Sequence, residues 1–512
     1  MTQLIATISL VVFILIMLGV GILSSKQAAT MDGFLLGGRN VGPWISAFAY
    51  GTSYFSAVIF IGYAGMHGWN IGLGSMWIGA GNAILGCWLA WKILAKRTRH
   101  MTRTLEARTM PEFFSARYAS KGMKLYAAAV IFIFLIPYSA SVYKGLGTMF
   151  SAIYGGADPK LCMLLVAILT GVYLVMGGYV ATALNDFIQG IIMVIGLIAM
   201  ILILVNSPQV GGFSEIIPRL QAIDPQLVDI TGGKSSSFLI TNVLLTSFGV
   251  WGLPQMVHKY YAIKDESSIH IATIVSTVFA AIIGAGAYFT GSLSRLFLAA
   301  NPDGTPNVPG GFDGVMPTLL MNALTSNVFS MIILSIIMLL LLSASMSTLA
   351  AVVLSSSSAV SVDLVVEVHP NISDKRQMQL MRLLCVIFVA GSYLFATMNV
   401  SFIVNLMSFS WGVVAGSFIG PFMWGIYSKK VTKTGAWAGL LSGLIVVGGA
   451  MTYLCSTMGF AAAKAFAPQM GVCAMIFSVI IVPIVSLFTK KYSDEFNTKV
   501  FEYHEHKVIN RV

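Results

Sequence analysis

Apolar runs of about twenty residues recur from one end of this 512-residue chain to the other. Each is long enough to cross a hydrocarbon layer of roughly 30 Å as a helix. Inside that layer no water meets the backbone, so a crossing segment must satisfy its own amide groups, and runs of this length do so as helices. The fold class expected is therefore an all-α integral membrane protein. Thirteen spans are expected, at about 4–23, 43–66, 73–95, 125–152, 160–178, 185–206, 237–257, 269–299, 328–362, 379–398, 401–425, 435–456 and 467–489. A composition of 57% hydrophobic and 10% charged residues excludes an ordinary soluble domain. The first run has no basic residue before it and no small-residue cleavage site after it, so it reads as a membrane helix and not a cleaved signal.

A net charge of +11 invites a nucleic-acid partner, but its distribution argues against one. With the N-terminus outside and the C-terminus in the cytoplasm, inner segments carry 22 Lys and Arg and outer segments carry 4. That asymmetry is the positive-inside pattern of a multi-pass protein of a plasma (bacterial inner) membrane, and it requires an odd number of spans. The most basic inner loop, 96–124, reads as an anchor on anionic lipid. Within it Thr109-Met110-Pro111-Glu112 reads as the start of a short interfacial helix. Lys144, inside the fourth span, reads either as a lysine snorkelling to the interface or as one facing a cavity. The outer loops 207–236 and 301–327 are rich in Pro and Gly and read as partial lids. All five cysteines fall inside apolar runs, which offers neither a disulfide framework nor a metal spacing. His504-Glu505-His506 reads as solvated tail. With no Walker A sequence and no nucleophile–base or metal set, an enzyme is not expected.

Two spans carry unusual chemistry at mid-depth. The second contains Ala49-Tyr50-Gly51-Thr52-Ser53-Tyr54-Phe55-Ser56, followed by Gly62 and Gly65. Small and hydroxylic residues there suit either close helix packing or an unwound helix whose freed carbonyls line a cavity. The seventh contains Gly249-Val250-Trp251-Gly252-Leu253-Pro254, where Pro removes an amide donor and breaks helical bonding. The two breaks lie five spans apart. Five is odd, so two five-helix units would face opposite ways, which is the sequence pattern of a transporter built from inverted repeats. The ninth span holds Ser343-Ala344-Ser345-Met346-Ser347-Thr348, in which Ala344, Ser347 and Thr348 share a helical face. These hydroxyls either bond back to preceding carbonyls or form half of an oxygen cage for a bare cation. Asp186, with Gln189 a turn beyond, opens the sixth span; it is either a carboxylate favoured by the helix dipole or part of an ion-exit path.

Nearly the whole chain resembles the sodium:solute symporters. The matching residues are Phe34-Leu35-Leu36-Gly37-Gly38-Arg39, Gly177-Gly178 through Asp186 and Gln189, Met346-Ser347-Thr348 and Val362-Asp363-Leu364, in that order among the spans. The resemblance implies a LeuT-type fold: an N-terminal helix and loop (1–42), a first repeat (43–206), an inverted second repeat (237–425), two C-terminal helices (435–489) and a cytoplasmic tail (490–512). It implies a sodium site made of the carbonyls of Thr52, Phe55 and Ala344 with the hydroxyls of Ser347 and Thr348. Where some members hold a second sodium with two further hydroxyls, this chain has Ala350 and Ala351, so one sodium per cycle is expected. The chain is similar to the proline and pantothenate branches, and nearer the latter through Ile223-Asp224-Pro225-Gln226-Leu227-Val228, Leu184-Asn185-Asp186 and Gly252-Leu253-Pro254. Solute-pocket candidates are Tyr54, Tyr138, Thr246, Val250 and Trp251.

The function expected is sodium-coupled import of a small organic solute of carboxylate, vitamin or amino-acid type, by alternating access. Sodium is the coupling ion, and the partners are that solute and the lipid bilayer, with no nucleic acid and no obligate protein partner. A proton-coupled carrier of the same fold is the alternative, together with a solute sensor that transports nothing.

Overall fold

A computed structural model describes residues 2–24, 30–324 and 328–501; the His504-Glu505-His506 sequence lies outside the described residues. Among the described residues the chain is helical, and pairing of extended backbone is confined to two isolated bridges, Val41 with Ile263 and Ala300 with Pro306. Among the described residues ten helices are long and apolar enough to cross a membrane, or eleven if the bent pair Gly233–Gly252 and Pro254–Ala262 is one span. Two of the ten, Val58–Thr104 and Pro159–Val205, run for 47 residues. Straight, each would measure about 70 Å at 1.5 Å per residue, more than twice the hydrocarbon thickness. Neither is straight. Val58–Thr104 turns at Gly72–Ser75, where Gly72 adopts φ 69°. Pro159–Val205 is interrupted at Gly178, with φ 53° and ψ −147°.

That second interruption corrects the expected boundaries of the fifth and sixth spans. Residues 179–184 are helical and form no linker, because one glycine with positive φ redirects the chain by itself. A Cβ at Gly178 would lie 2.8 Å from the Phe34 carbonyl oxygen, so the same residue also admits the Phe34 segment. Asp186 is consequently about two turns into its helix and not at a dipole-favoured first turn.

The second span is broken after Pro43–Tyr54. Phe55 is extended (φ −107°, ψ 109°), and a π-helical turn, Val58–Tyr63, follows before Ala64–Ile71. The seventh span breaks at Leu253 (φ −82°, ψ 123°), and its two halves bend by 49°. Between them runs the eighth span, Glu266–Ser292, packed on both parts of the second span and on the third. Glycines set the closeness of that packing. A Cβ on Gly79 would fall 2.4 Å from the backbone carbon of Gly284, and one on Gly68 would fall 2.1 Å from that of Gly291. The ninth span, Val328–Ser358, lies against the Pro159–Val205 helix and the first span, while Lys433–Met458 and Ala467–Leu487 pack on Ile403–Tyr427.

The basic 96–124 segment continues the third span as Lys96–Thr104 and then forms the helix Met110–Tyr118. Thr109 caps that helix by accepting from Glu112 N, and its hydroxyl donates to Asp363 Oδ1 at 2.8 Å. Its cations are not all available to lipid headgroups. Arg99 is buried and donates to the carbonyls of Ile263 and Lys264 at 3.2 and 2.6 Å. Arg117, fully buried, donates to those of Gly425 and Ser428 at 2.8 and 2.9 Å. Helix-terminal carbonyls lack intrahelical donors, and guanidinium forks supply them. Lys144 does not snorkel freely either: its ammonium pairs with Asp313 at 2.8 Å and donates to Ser401 O at 2.8 Å, beside a cavity of about 390 Å³. The two outer loops lie on the second span, where Gly65 and Gly72 leave room for the carbonyls of Phe312 and Leu227.

Substituting Gly79 by Val overpacks the contact with Gly284 and is expected to lower the melting temperature in detergent, at a cost of about 1–3 kcal/mol. Gly448→Ala, with nothing within 4 Å, is the matched control and should leave it unchanged. Equal melting temperatures for the two variants would disprove the close approach of the third and eighth spans.

Candidate functional site

The ninth span is unbroken where it faces the break in the second, so a regular helix presents side chains to an irregular backbone. Ala344, Ser347 and Thr348 are fully buried. Ser347 Oγ lies 3.0 Å from Thr52 O and 3.0 Å from Ala344 O. Thr348 Oγ1 lies 3.2 Å from Ser53 O, 3.4 Å from Thr52 O and 3.0 Å from Ala344 O. Two hydroxyls and three carbonyls thus converge from two elements almost 300 residues apart in sequence. Phe55 ends the same helical segment, with its ring stacked on Tyr54 at 4.6 Å between centroids. Ser345 points to the break as well, accepting from Ala57 N at 3.3 Å while donating to Leu341 O. A hydroxyl that donates to a carbonyl can rotate and offer a lone pair instead, so the cluster can donate to itself or accept a cation. All five oxygens are neutral. Such a set compensates one positive charge better than two.

Beside this turn lies a small cavity of about 20 Å³, room for roughly one water, lined by residues that include Tyr54, Tyr138 and Thr246. Phe55 lines it too, and Tyr54 directly follows Ser53, whose carbonyl meets Thr348, so the cavity adjoins the hydroxyl cluster. Tyr54 spans the cavity: its hydroxyl donates to Thr246 O at 2.7 Å, joining the two broken helices. Trp411 stacks on Tyr54 (6.4 Å) and meets Tyr138 edge-on (5.6 Å). Val250 and Trp251 are buried but do not line this cavity. The Trp251 indole donates to Leu85 O at 3.0 Å and borders a separate apolar groove with Phe248, Ile419 and Met475. Val250 shares the face of Thr246 but lies a turn closer to the break, and only Thr246 reaches the cavity.

Sequence reasoning passed over Asn82. Its Oδ1 accepts from Thr246 Oγ1 at 2.7 Å and from Ser247 Oγ at 3.3 Å. A lone Asn in the third span gave no spacing to notice, but it starts a π-helical segment, Asn82–Leu89, a form enriched at functional sites. Trp411 was likewise an unremarkable aromatic in an apolar run. No acidic or basic residue borders the cavity.

Asp186 and Gln189 lie beyond the cluster on the helix that follows Gly178. Both are buried, and Gly190 next to them packs against Thr52: a Cβ there would sit 3.1 Å from Thr52 Cγ2. Asp186 Oδ2 is 3.8 Å from Lys259 Nζ, a residue the sequence placed in a loop. In the fold Lys259 belongs to Pro254–Ala262, the second half of the broken seventh span.

The sequence profile of the sodium:solute symporter family matches residues 34–443. The osmoregulated proline transporter OpuE of Bacillus subtilis is 28% identical, over 94% of this chain and 95% of that protein. The sodium/pantothenate symporter of Escherichia coli is also 28% identical, over 90% and 93%. Among solved structures, a Na+-coupled sialic acid symporter in a substrate-bound outward-open state superposes with a TM-score of 0.75 at 19% identity, covering 96% of this chain and 99% of that one. Mhp1, a nucleobase-cation-symport-1 family transporter, superposes in its closed conformation at 0.55 with 12% identity, covering 92% and 98%. The fold is therefore the LeuT-type fold that the family resemblance implied.

Asn82→Leu leaves the Thr246 and Ser247 hydroxyls without their shared acceptor and is expected to destabilise the protein by about 1–3 kcal/mol. The Thr246 hydroxyl still reaches Asn242 O at 2.7 Å, so adding Ser247→Ala removes the unmet donor and should recover part of the loss in a thermal melt. Additive losses in the double variant would show that the two side chains are not coupled.

Proposed function

The chain belongs to the sodium:solute symporter family, and on that premise we propose that it imports a small organic solute by alternating access, driven by one sodium ion per cycle. As a member of that family it is a transporter and not an enzyme. The observation that carries the coupling is the convergence of Ser347 and Thr348 on the carbonyls of the broken second span. Sodium held by Thr52, Phe55, Ala344, Ser347 and Thr348 would bridge the two elements and order the break. Because Phe55 also borders the cavity, an ion there adjoins the solute. That proximity supports cooperative binding, since each ligand rigidifies backbone the other needs.

The solute we propose is a carboxylate, vitamin or amino acid such as pantothenate or proline, in line with the names of the two relatives. Tyr54, Tyr138, Thr246, Asn82 and Trp411 are its contacts. With no cationic side chain in the lining, the sodium ion itself is the positive charge nearest a solute carboxylate. A volume of about 20 Å³ admits no such molecule, so solute entry requires the second and seventh spans to part. We read thirteen spans by counting the bent pair as one span and dividing each 47-residue helix at its glycine turn, with repeats at 43–206 and 237–425 and a basic end facing the cytoplasm of a bacterial plasma membrane. One charge crossing supplies about 2.3 kcal/mol per 100 mV, roughly 50-fold accumulation.

Thermal stability in sodium against potassium, across a panel of small solutes, tests this reading directly. Sodium-specific stabilisation that one solute deepens is expected; indifference to sodium would overturn it and favour proton coupling. Ser347→Ala should raise the half-saturating sodium concentration at least tenfold. An unchanged value would remove Ser347 from the site.

A further inference from the structure

Asp186 and Lys259 are among the most completely buried charged residues described, 1% and 2% exposed, and they face each other at 3.8 Å. Charge-assisted hydrogen bonds bring such atoms to about 2.7–2.9 Å. At the longer separation neither oxygen of Asp186 accepts a hydrogen bond from a described residue. The attraction is Coulombic and the contact is loose. The Tyr179 ring lies 5.1 Å from Nζ and adds a cation–π contact to the ammonium.

The surroundings share this incompleteness. Both amide atoms of Asn185, the Tyr179 hydroxyl and Gln255 Oε1 are buried without a hydrogen-bond partner among the described residues. Buried polar atoms are ordinarily satisfied, and a cluster that is not points to a species that comes and goes, water or an ion. The cluster is also continuous with the cation turn. Gly190, one helical turn from Asp186, is the residue that packs on Thr52. An ion leaving Thr52 and Ser347 toward the basic end therefore meets Asp186 next. Its carboxylate is already matched by a cation in the second half of the broken seventh span, just past the Leu253 break.

We propose that Lys259 is a tethered cation that competes with the coupling ion for Asp186. The passing ion displaces the ammonium, takes the carboxylate, and is displaced in turn as the ammonium returns. This rests on the sodium reading above. Its physical benefit is that the carboxylate is never left as an uncompensated charge in the bundle, which is costly. The carrier with its sites empty then returns with a neutral pair, and release to the cytoplasm is aided by a competitor that cannot diffuse away.

The test uses purified full-length protein in oriented proteoliposomes, with sodium set independently on each side. Uptake by the parent protein is measured first. Sodium-independent uptake there would end the symport reading itself, separately from the present one. In a sodium-dependent parent, Lys259→Gln removes the competitor. The ratio of the inhibitory internal sodium concentration to the half-saturating external one is expected to fall at least tenfold, and Lys259→Arg should hold it within threefold. In an Asp186→Asn background the Lys259→Gln effect should vanish, because the contested carboxylate is gone. A ratio unchanged by Lys259→Gln overturns the proposal, as does an equal shift on both sides, which a purely structural role predicts. Should Lys259→Gln not reach the membrane, sodium-induced protection of Asp186 from carboxyl modification by a carbodiimide is read in the parent and in Lys259→Arg. Protection at the same sodium concentration as ion release supports competition, and absence of any protection overturns it.

Discussion

Every feature of the site depends on one constraint: backbone amides within a bilayer must be paired by the protein, because lipid offers nothing. An interruption of a spanning helix is affordable only where other groups complete it. Around the break at Phe55, Ser345 receives the Ala57 amide, while Ser347 and Thr348 reach the carbonyls of Thr52 and Ser53. Tyr54 crosses to Thr246 O on the other broken helix. The same groups that keep the break tolerable are those able to accept a cation. Stability of the break and binding are one piece of chemistry.

Close packing by glycine makes this geometry possible. Gly190 admits Thr52 and Phe48, Gly51 meets Phe279, and Gly86 meets the Tyr54 ring, each at distances no larger residue could accept. The second span is thereby held against the third, sixth and eighth without bulky residues filling the space. Two halves of a broken helix can then shift relative to their neighbours with few side chains to repack. Charge is distributed in the same spirit. Lys144 with Asp313 and Lys259 with Asp186 each join separate elements, one near the outer loops and one toward the basic end.

Much of this was legible beforehand, for identifiable reasons. Hydropathy located the spans because burial in lipid demands about twenty apolar residues in succession. Ser347 and Thr348 stood out because hydroxyls sharing a helical face are conspicuous in an apolar run. Tyr54 and Thr246 were candidates through the family resemblance, and both line the small cavity. Val250 and Trp251 came in with the same resemblance, yet neither lines the cavity: Val250 shares the face of Thr246 but sits a turn further along, and the Trp251 indole is committed to Leu85 O. Asn82 and Trp411 were passed over since neither carries a pattern: each matters only through what it touches.

The sequence by itself determined which segments are buried in lipid, where two helices break and which of their residues carry oxygen. Those are local properties, set by side-chain polarity and by the conformational limits of Gly and Pro. The tertiary structure alone decided what each break faces. Thr52 meets Ser347 across 295 residues of chain, and Asp186 meets Lys259 rather than the first turn of its own helix. Gly178, which turns the chain in a single residue, put Asp186 there. Partnership at such separations depends on the angle at which helices pack, and packing angle is a property of facing surfaces, which no single stretch of sequence contains.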